Sequence, residues 1–364
     1  VGIKRLYFID IVRAFAILMM LQGHFIDTLL ATSYRDLNDP TFIIWSYFRG
    51  ITAPTFFTIS GLIFTYLLLK AKEKGLEKER MVKGITRGFF LIALGYSLRI
   101  PIFSWFAGIF NNYFLVIDVL QIIGLSLILI IFFYFICYKK TVLFSTITLV
   151  LGIGIFITEP LYRSLNIESI PVFFNNYISK SYGSIFTIVP WFGYVCFGAF
   201  LATIFHKNLL KKGFKKIIIA SFVFSGFILI TYSSDILVYL SKSINSQLLM
   251  DSASYNYLFT RFGNVLLIFA FFYTFEKYLK IPLLLKVGQK TLSIYVIHFI
   301  IIYGSFTGCG LKNILGKNLT PTEAIFGAIL FLIIVCLLSF YYAKTNTFLY
   351  LNLRKFFNKL KAKS

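Results

Sequence analysis

Ionisable side chains set inside long apolar runs are the residues of this sequence whose type and place could do chemistry. The first run carries Asp10, Arg13 and His24. Such groups are costly in hydrocarbon and usually face a cavity or a partner. Asp10 and Arg13 stand three apart on one helical face near the start of the run. Their simplest role is an ion pair at the membrane interface. His24 follows Arg13 by eleven residues, about 16 Å along a helix and close to three turns, so the two share a face. A lone histidine there could equally be hydrogen-bonded structure. Later runs bring Arg99, Asp118, Gln121, Arg261, Asn264 and His298 to a depth similar to that of His24. Each alone could be a polar contact; together they suggest a polar cavity open to one side. Toward the other side, residues 70–87 hold seven Lys and Arg, among them Arg80, Lys83 and Arg87. That density is either plain positive-inside topology or a mouth for the phosphates of an anionic donor. Two polar regions joined along the Arg13–His24 face suggest group transfer across a membrane. The competing class is a proton-coupled transporter of a small molecule or lipid, which would use the same buried charges as its pathway.

The elements that must hold these groups are membrane helices. The chain has 364 residues, 58% hydrophobic and only 14% charged. A soluble domain carries about 25% charged residues, so these charges cannot coat a globule of this size. The expected fold is an all-α integral membrane bundle of about ten transmembrane helices. The spans are placed at 8–31, 43–69, 88–106, 114–137, 141–158, 185–205, 216–238, 255–276, 283–304 and 323–344. Each is near the ~20 residues needed to cross hydrocarbon. The first reads as a retained helix, because it is long, holds Asp10 and Arg13, and has no small-residue cleavage site. With the N-terminus cytoplasmic, 26 of the 36 Lys and Arg fall on the cytoplasmic side. An even span count then puts the C-terminus there too. Residues 1–344 form the transmembrane domain, and 345–364 read as a basic amphipathic tail on the inner leaflet. The long loop 159–184 could lie as a partial lid over the outer face. No internal repeat is evident.

Composition also removes some classes. The net charge of +22 sits in short clusters between apolar runs. That pattern argues for anionic membrane lipid as the partner and against nucleic acid. Cys137, Cys196, Cys309 and Cys336 form no CxxC pair, so neither a disulfide framework nor a metal site is expected.

A family resemblance follows from motifs in order. Arg5-Leu6, Ile9-Asp10 and Arg13-Ala14-Phe15-Ala16-Ile17-Leu18 resemble the opening of the heparan-α-glucosaminide N-acetyltransferase catalytic family. That family belongs to the transmembrane acyltransferase superfamily, which includes the acyltransferase 3 proteins. Similar matches follow at residues 53–61 (Ala-Pro-Thr-Phe-Phe-Thr-Ile-Ser-Gly) and 118–124 (Asp-Val-Leu-Gln-Ile-Ile-Gly). Two more lie at Pro190-Trp191-Phe192-Gly193 with Gly198, and at residues 292–298 (Leu-Ser-Ile-Tyr-Val-Ile-His). The resemblance covers about residues 3–304.

It implies transfer of an acetyl group from cytosolic acetyl-CoA to an amine or hydroxyl of a glycan or lipid-linked sugar on the far side. His24, at Arg-x10-His, matches the catalytic histidine position of the acyltransferase 3 relatives, with Arg13 on the CoA side of the site. The sequence departs from the animal heparan enzyme, which looks to have Asn at the place of His24 and its catalytic His further on. Here the next histidine is His206. A bacterial glycan, modified at the cytoplasmic membrane, therefore fits better than heparan. On this reading His24 is the general base, and Asp118 orients it or binds the sugar. His298, Gln121 or Arg99 hold the acceptor or the oxyanion, and Arg261 and Asn264 complete the acceptor side. Arg13, Arg80, Lys83 and Arg87 hold CoA. Transfer is expected to be direct, since no cysteine is placed as a nucleophile. The oligomeric state is left open, a homodimer included.

Overall fold

The computed structural model describes residues 6–110, 112–163, 165, 167 and 169–361, with side chains described up to 342. Apolar runs near the length of a bilayer fold as helices because hydrocarbon leaves backbone N–H and C=O groups no partner but each other. The main helices are α1 (Tyr7–Leu29), α2 (Pro40–Glu73), α3 (Glu77–Ser97), α4 (Val119–Ile136), α5 (Thr141–Arg163), α6 (Ile188–Asn208) and α7 (Phe214–Thr231). They continue with α8 (Ser233–Ile244), α9 (Gln247–Ser254), α10 (Tyr257–Thr274), α11 (Pro282–Gln289), α12 (Thr291–Tyr303) and α13 (Pro321–Lys361). No strand occurs among the described residues; a single bridge joins Leu30 to Leu319.

Eight segments among the described residues are long and apolar enough to cross a membrane, and the bent pair α11–α12 makes a ninth. The protein is an all-α, multi-pass integral membrane bundle. The expected third span, 88–106, is instead α3, which begins earlier and stops earlier. Its first half carries Glu77, Lys78, Glu79, Arg80, Lys83 and Arg87, too many charges for an ordinary span. Its end comes at Arg99-Ile100-Pro101, where a residue before proline is pushed out of helical geometry. The expected seventh span, 216–238, breaks at Tyr232, and Ser233 starts the separate α8. The expected ninth, 283–304, bends by 70° between Gln289 and Thr291. At that bend Gly288 lies against the Asp10 carbonyl, so closely that a Cβ would overlap it. α13 continues unbroken from Pro321 to Lys361 through the expected boundary at 344; the side chains of the tail beyond it lie outside the described residues.

α1 is central and packs against α2, α10, α11, α12 and α13. The tightest crossing is α2 on α6. A Cβ at Gly61 would overlap the Val195 carbonyl, and one at Gly198 the Thr58 carbonyl. Small residues let the two backbones meet, the usual means of helix packing where no hydrophobic force separates protein from lipid. α3 and α4 meet likewise at Gly88 and Gly124. α5, α7 and the apolar part of α13 turn most of their surface outward, with Phe224, Phe227 and Leu330 exposed, as lipid-facing helices must.

The two ends of the bundle differ. At one end, hereafter the basic end, the start of α1 meets the ends of α2, α6 and α10 and the starts of α3 and α7. Polar contacts tie them: Lys139–Glu77 at 3.0 Å, His206–Glu73 at 2.9 Å, Lys215–Glu276 at 3.7 Å, and the Phe8 N–H donating to Glu276 at 2.9 Å. At the far end, the chain after α1 pairs with the start of α13. The segment 169–187 folds over the start of α4, through Asn176 Nδ2 donating to the Leu115 carbonyl at 2.9 Å and the Ile185 N–H to that of Ile117 at 3.1 Å.

Candidate active site

A cavity of ≈250 Å³ opens near the basic end, between α1, α2, α3, α4 and the α11–α12 bend. Arg13, Arg80 and Arg87 line it together with Gln289 and Thr291. Deeper in, its walls are apolar, from Ile17, Ile59, Leu91, Leu120 and Ile123 among others, and Met20 and Tyr295 reach furthest along their helices. Arg13 is held from both sides: Nη2 donates to Thr291 Oγ1 at 2.7 Å, and Nη1 stands 3.8 Å from Asp10. Arg80 lies over the Phe64 ring at 5.6 Å, and its Nε is buried without a partner among the described residues. Among the described residues, no carboxylate pairs with Arg80 or Arg87. Three guanidinium groups answered by one carboxylate make this cavity suited to an anion. Lys83, expected with these arginines, is not in the lining; it is exposed and 3.6 Å from Glu79.

Beyond Tyr295, toward the far end, α1 and α12 bring the two histidines together. The His24 and His298 ring centroids are 5.2 Å apart, edge to face. His298 is fully buried and packs edge-on to Tyr295 at 4.9 Å, and neither ring nitrogen has a hydrogen-bond partner among the described residues. His24 is half-buried, and its Nδ1 is 2.8 Å from Tyr303 Oη. The charges close enough to act on the His24 ring are Asp118, Asp27, Arg49 and Arg99. The structure thus brings side by side two imidazoles that the sequence put only at a similar depth.

The remaining expected residues have other partners. Asp118 caps α4, its Oδ1 accepting from the Val119 N–H at 2.8 Å, while its other oxygen takes Arg99 Nη2 at 2.7 Å. Both are almost wholly buried. Arg99 also lies over the Tyr113 and Phe299 rings, at 5.1 and 5.5 Å. Asp118 therefore does not hold the His24 ring; the structure gives that contact to Tyr303. Gln121 completes the capping box by accepting from the Asp118 N–H at 3.2 Å. It fits only because Gly95 leaves room, since a Cβ there would collide with its amide. Arg261 and Asn264 meet at Tyr47 instead. Arg261 lies over that ring at 4.7 Å and donates to the Tyr47 carbonyl at 2.8 Å, and Tyr47 Oη donates to Asn264 at 2.7 Å. They clamp α2 to α10 at the far end. Near them, Asp27 takes Arg49 at 2.5 Å and Arg35 at 3.4 Å.

The sequence reading missed Thr291, Tyr295 and Tyr303. One signal for the first two was present. Thr291, Tyr295 and His298 recur at i, i+4 and i+7, one face of a helix, and all three are buried. Nothing comparable marks Tyr303.

A family model, heparan-alpha-glucosaminide N-acetyltransferase catalytic, matches residues 5–244 of this chain. The chain belongs to that family. The match takes in Arg13, His24, Arg80, Arg87, Arg99 and Asp118, and ends before α12. A search of curated proteins gives no match. In this member of a transmembrane acetyltransferase family, α1 carries one residue of each feature, Arg13 in the cationic cavity and His24 in the histidine pair.

Proposed function

We propose that this protein transfers an acetyl group from cytosolic acetyl-CoA to an amine or hydroxyl of a glycan or lipid-linked sugar on the opposite side of the membrane. The observation that carries the reading is that Arg13 and His24 face, from one helix, a phosphate-suited cavity and an imidazole pair. Positive charge collects at the basic end, which supports a cytosolic position for that end, with its cavity within reach of the donor. A bacterial cytoplasmic membrane is the setting that fits, with anionic lipid around the basic end.

Arg13, Arg80 and Arg87 bind the donor's phosphates, and the apolar stretch beyond them takes the pantetheine arm. Thr291 keeps Arg13 in the lining. The acceptor approaches from the far end. Its nitrogen or oxygen attacks the thioester carbonyl carbon while His24 takes its proton at Nε2, the nitrogen left free by Tyr303. The C–S bond breaks, the acetyl group stays on the acceptor, and CoA leaves as a thiol after receiving the proton. His298 gives an N–H to the oxyanion that forms in between. Arg99 and Asp118 neutralise each other and fix the start of α4 beside this centre. The histidine carries the proton because a neutral imidazole can both take and return one near neutral pH.

The test is His24→Ala in membranes supplied with labelled acetyl-CoA. General base catalysis contributes about 10²–10⁴-fold, so product formation should fall by at least about a hundredfold. Wild-type rates in the variant would end the assignment.

A further inference from the structure

Neutral imidazole carries one proton, and the partner of one ring nitrogen decides which nitrogen holds it. For His24 that partner is Tyr303 Oη, 2.8 Å from Nδ1. A phenol hydroxyl can give or accept. A histidine that takes a proton at Nε2 must already carry its own on Nδ1, and Tyr303 Oη is the acceptor placed to receive that N–H.

Tyr303 is also held in place. It is the last residue of α12, which Gly304 ends in a left-handed turn at φ 68°. The loop then doubles back, so that Gly310 packs on Gly304 with no room for a Cβ on either. The Tyr303 ring rests on Phe299 at 4.7 Å. One short helix thus delivers both His298 and the hydroxyl that meets His24.

We infer that Tyr303 is a positioning residue: its oxygen accepts the Nδ1–H of His24 and so keeps Nε2 as the basic nitrogen. This rests on reading His24 as the base, but the tautomer can be observed without any activity. The chain has only three histidines, His24, His206 and His298. Nitrogen NMR of the full-length protein in lipid nanodiscs, with isotope-labelled histidine, therefore resolves few signals. His206→Gln and His298→Gln variants assign them.

The expected result is a neutral His24 protonated at Nδ1 in the wild type. In Tyr303→Phe that preference should be lost in favour of Nε2–H or a mixture, with the His206 signals unchanged as the control for folding. In turnover, Tyr303→Phe should lower kcat about tenfold or more and leave KM for acetyl-CoA within about twofold. A wild-type His24 that is protonated at Nε2, or at both nitrogens, overturns the proposal without recourse to any variant. So does a Tyr303→Phe protein that keeps the Nδ1–H form. If the tautomer behaves as expected while His24→Ala retains full activity, the positioning role stands and the base assignment falls.

Discussion

Arg80 and Arg87 line a cavity without an acid partner among the described residues, while Lys83, between them in sequence, points away and meets Glu79. Helix geometry separates the three. Arg80 and Arg87 are seven apart, two turns, and share a face, whereas Lys83 also has Glu79 four residues before it on an exposed strip. A charge-assisted hydrogen bond contributes about 1.5–3 kcal/mol, and about 1.4 kcal/mol is a factor of ten. Replacing Arg80 and Arg87 together by Gln should therefore raise KM for acetyl-CoA at least about tenfold, with Lys83→Gln near wild type. Equal effects from all three would show that bulk charge, not this cavity, draws the donor. At this scale legibility followed rarity. His24 and His298 stood out because histidine is scarce and has no business in hydrocarbon without a purpose. Tyr303 is one of 23 tyrosines, and an amphipathic aromatic in a membrane helix is unremarkable in type. Asp118 and Arg99 were visible as buried charges. Their commitment to each other was not, because they lie 19 residues apart on either side of an irregular segment.

Elements were read well where apolarity alone decides and less well where a polar or backbone event interrupts it. α1, α5 and α6 lie close to their expected spans. α3 was displaced because its charged first half looks like a loop, yet it continues as helix along α4 through the Gly88–Gly124 contact. The α11–α12 bend depends on Gly288 seating against the Asp10 carbonyl, a contact between residues far apart in sequence. That bend places Gln289 and Thr291 in the cavity lining, where Thr291 reaches Arg13. The α2–α6 crossing leaves little tolerance for a larger residue. Gly198→Val should be severely destabilising, because overpacking costs about 1–3 kcal/mol even where neighbours can shift, and here the obstacle is the Thr58 carbonyl backbone. Gly154→Val, on the lipid-facing α5 with nothing within 4 Å of its Cβ position, is the matched control. Thermal unfolding in detergent should show a large drop for the first and little change for the second. Similar losses in both would mean that the crossing is looser than drawn.

For the molecule as a whole, the asymmetry of charge and the direction of α1 are the same fact seen twice. One end gathers Lys and Arg and opens a cavity among three arginines; the other gathers the histidine pair with its tyrosines. The sequence showed this polarity because positive residues cluster in the segments between alternate spans, a pattern that survives errors of several residues in each boundary. It did not show the cavity, which is assembled from four helices and a bend. The central proposal is that donor and acceptor stay on opposite sides. Sealed inside-out membrane vesicles test it, since acetyl-CoA is too polar to cross the bilayer unaided and reaches only the face to which it is added. With labelled acetyl-CoA outside such vesicles, label should appear on lumenal glycan in wild type and fall at least about a hundredfold in His24→Ala. Label confined to acceptors on the same face as the donor, or transfer undiminished in His24→Ala, would contradict it.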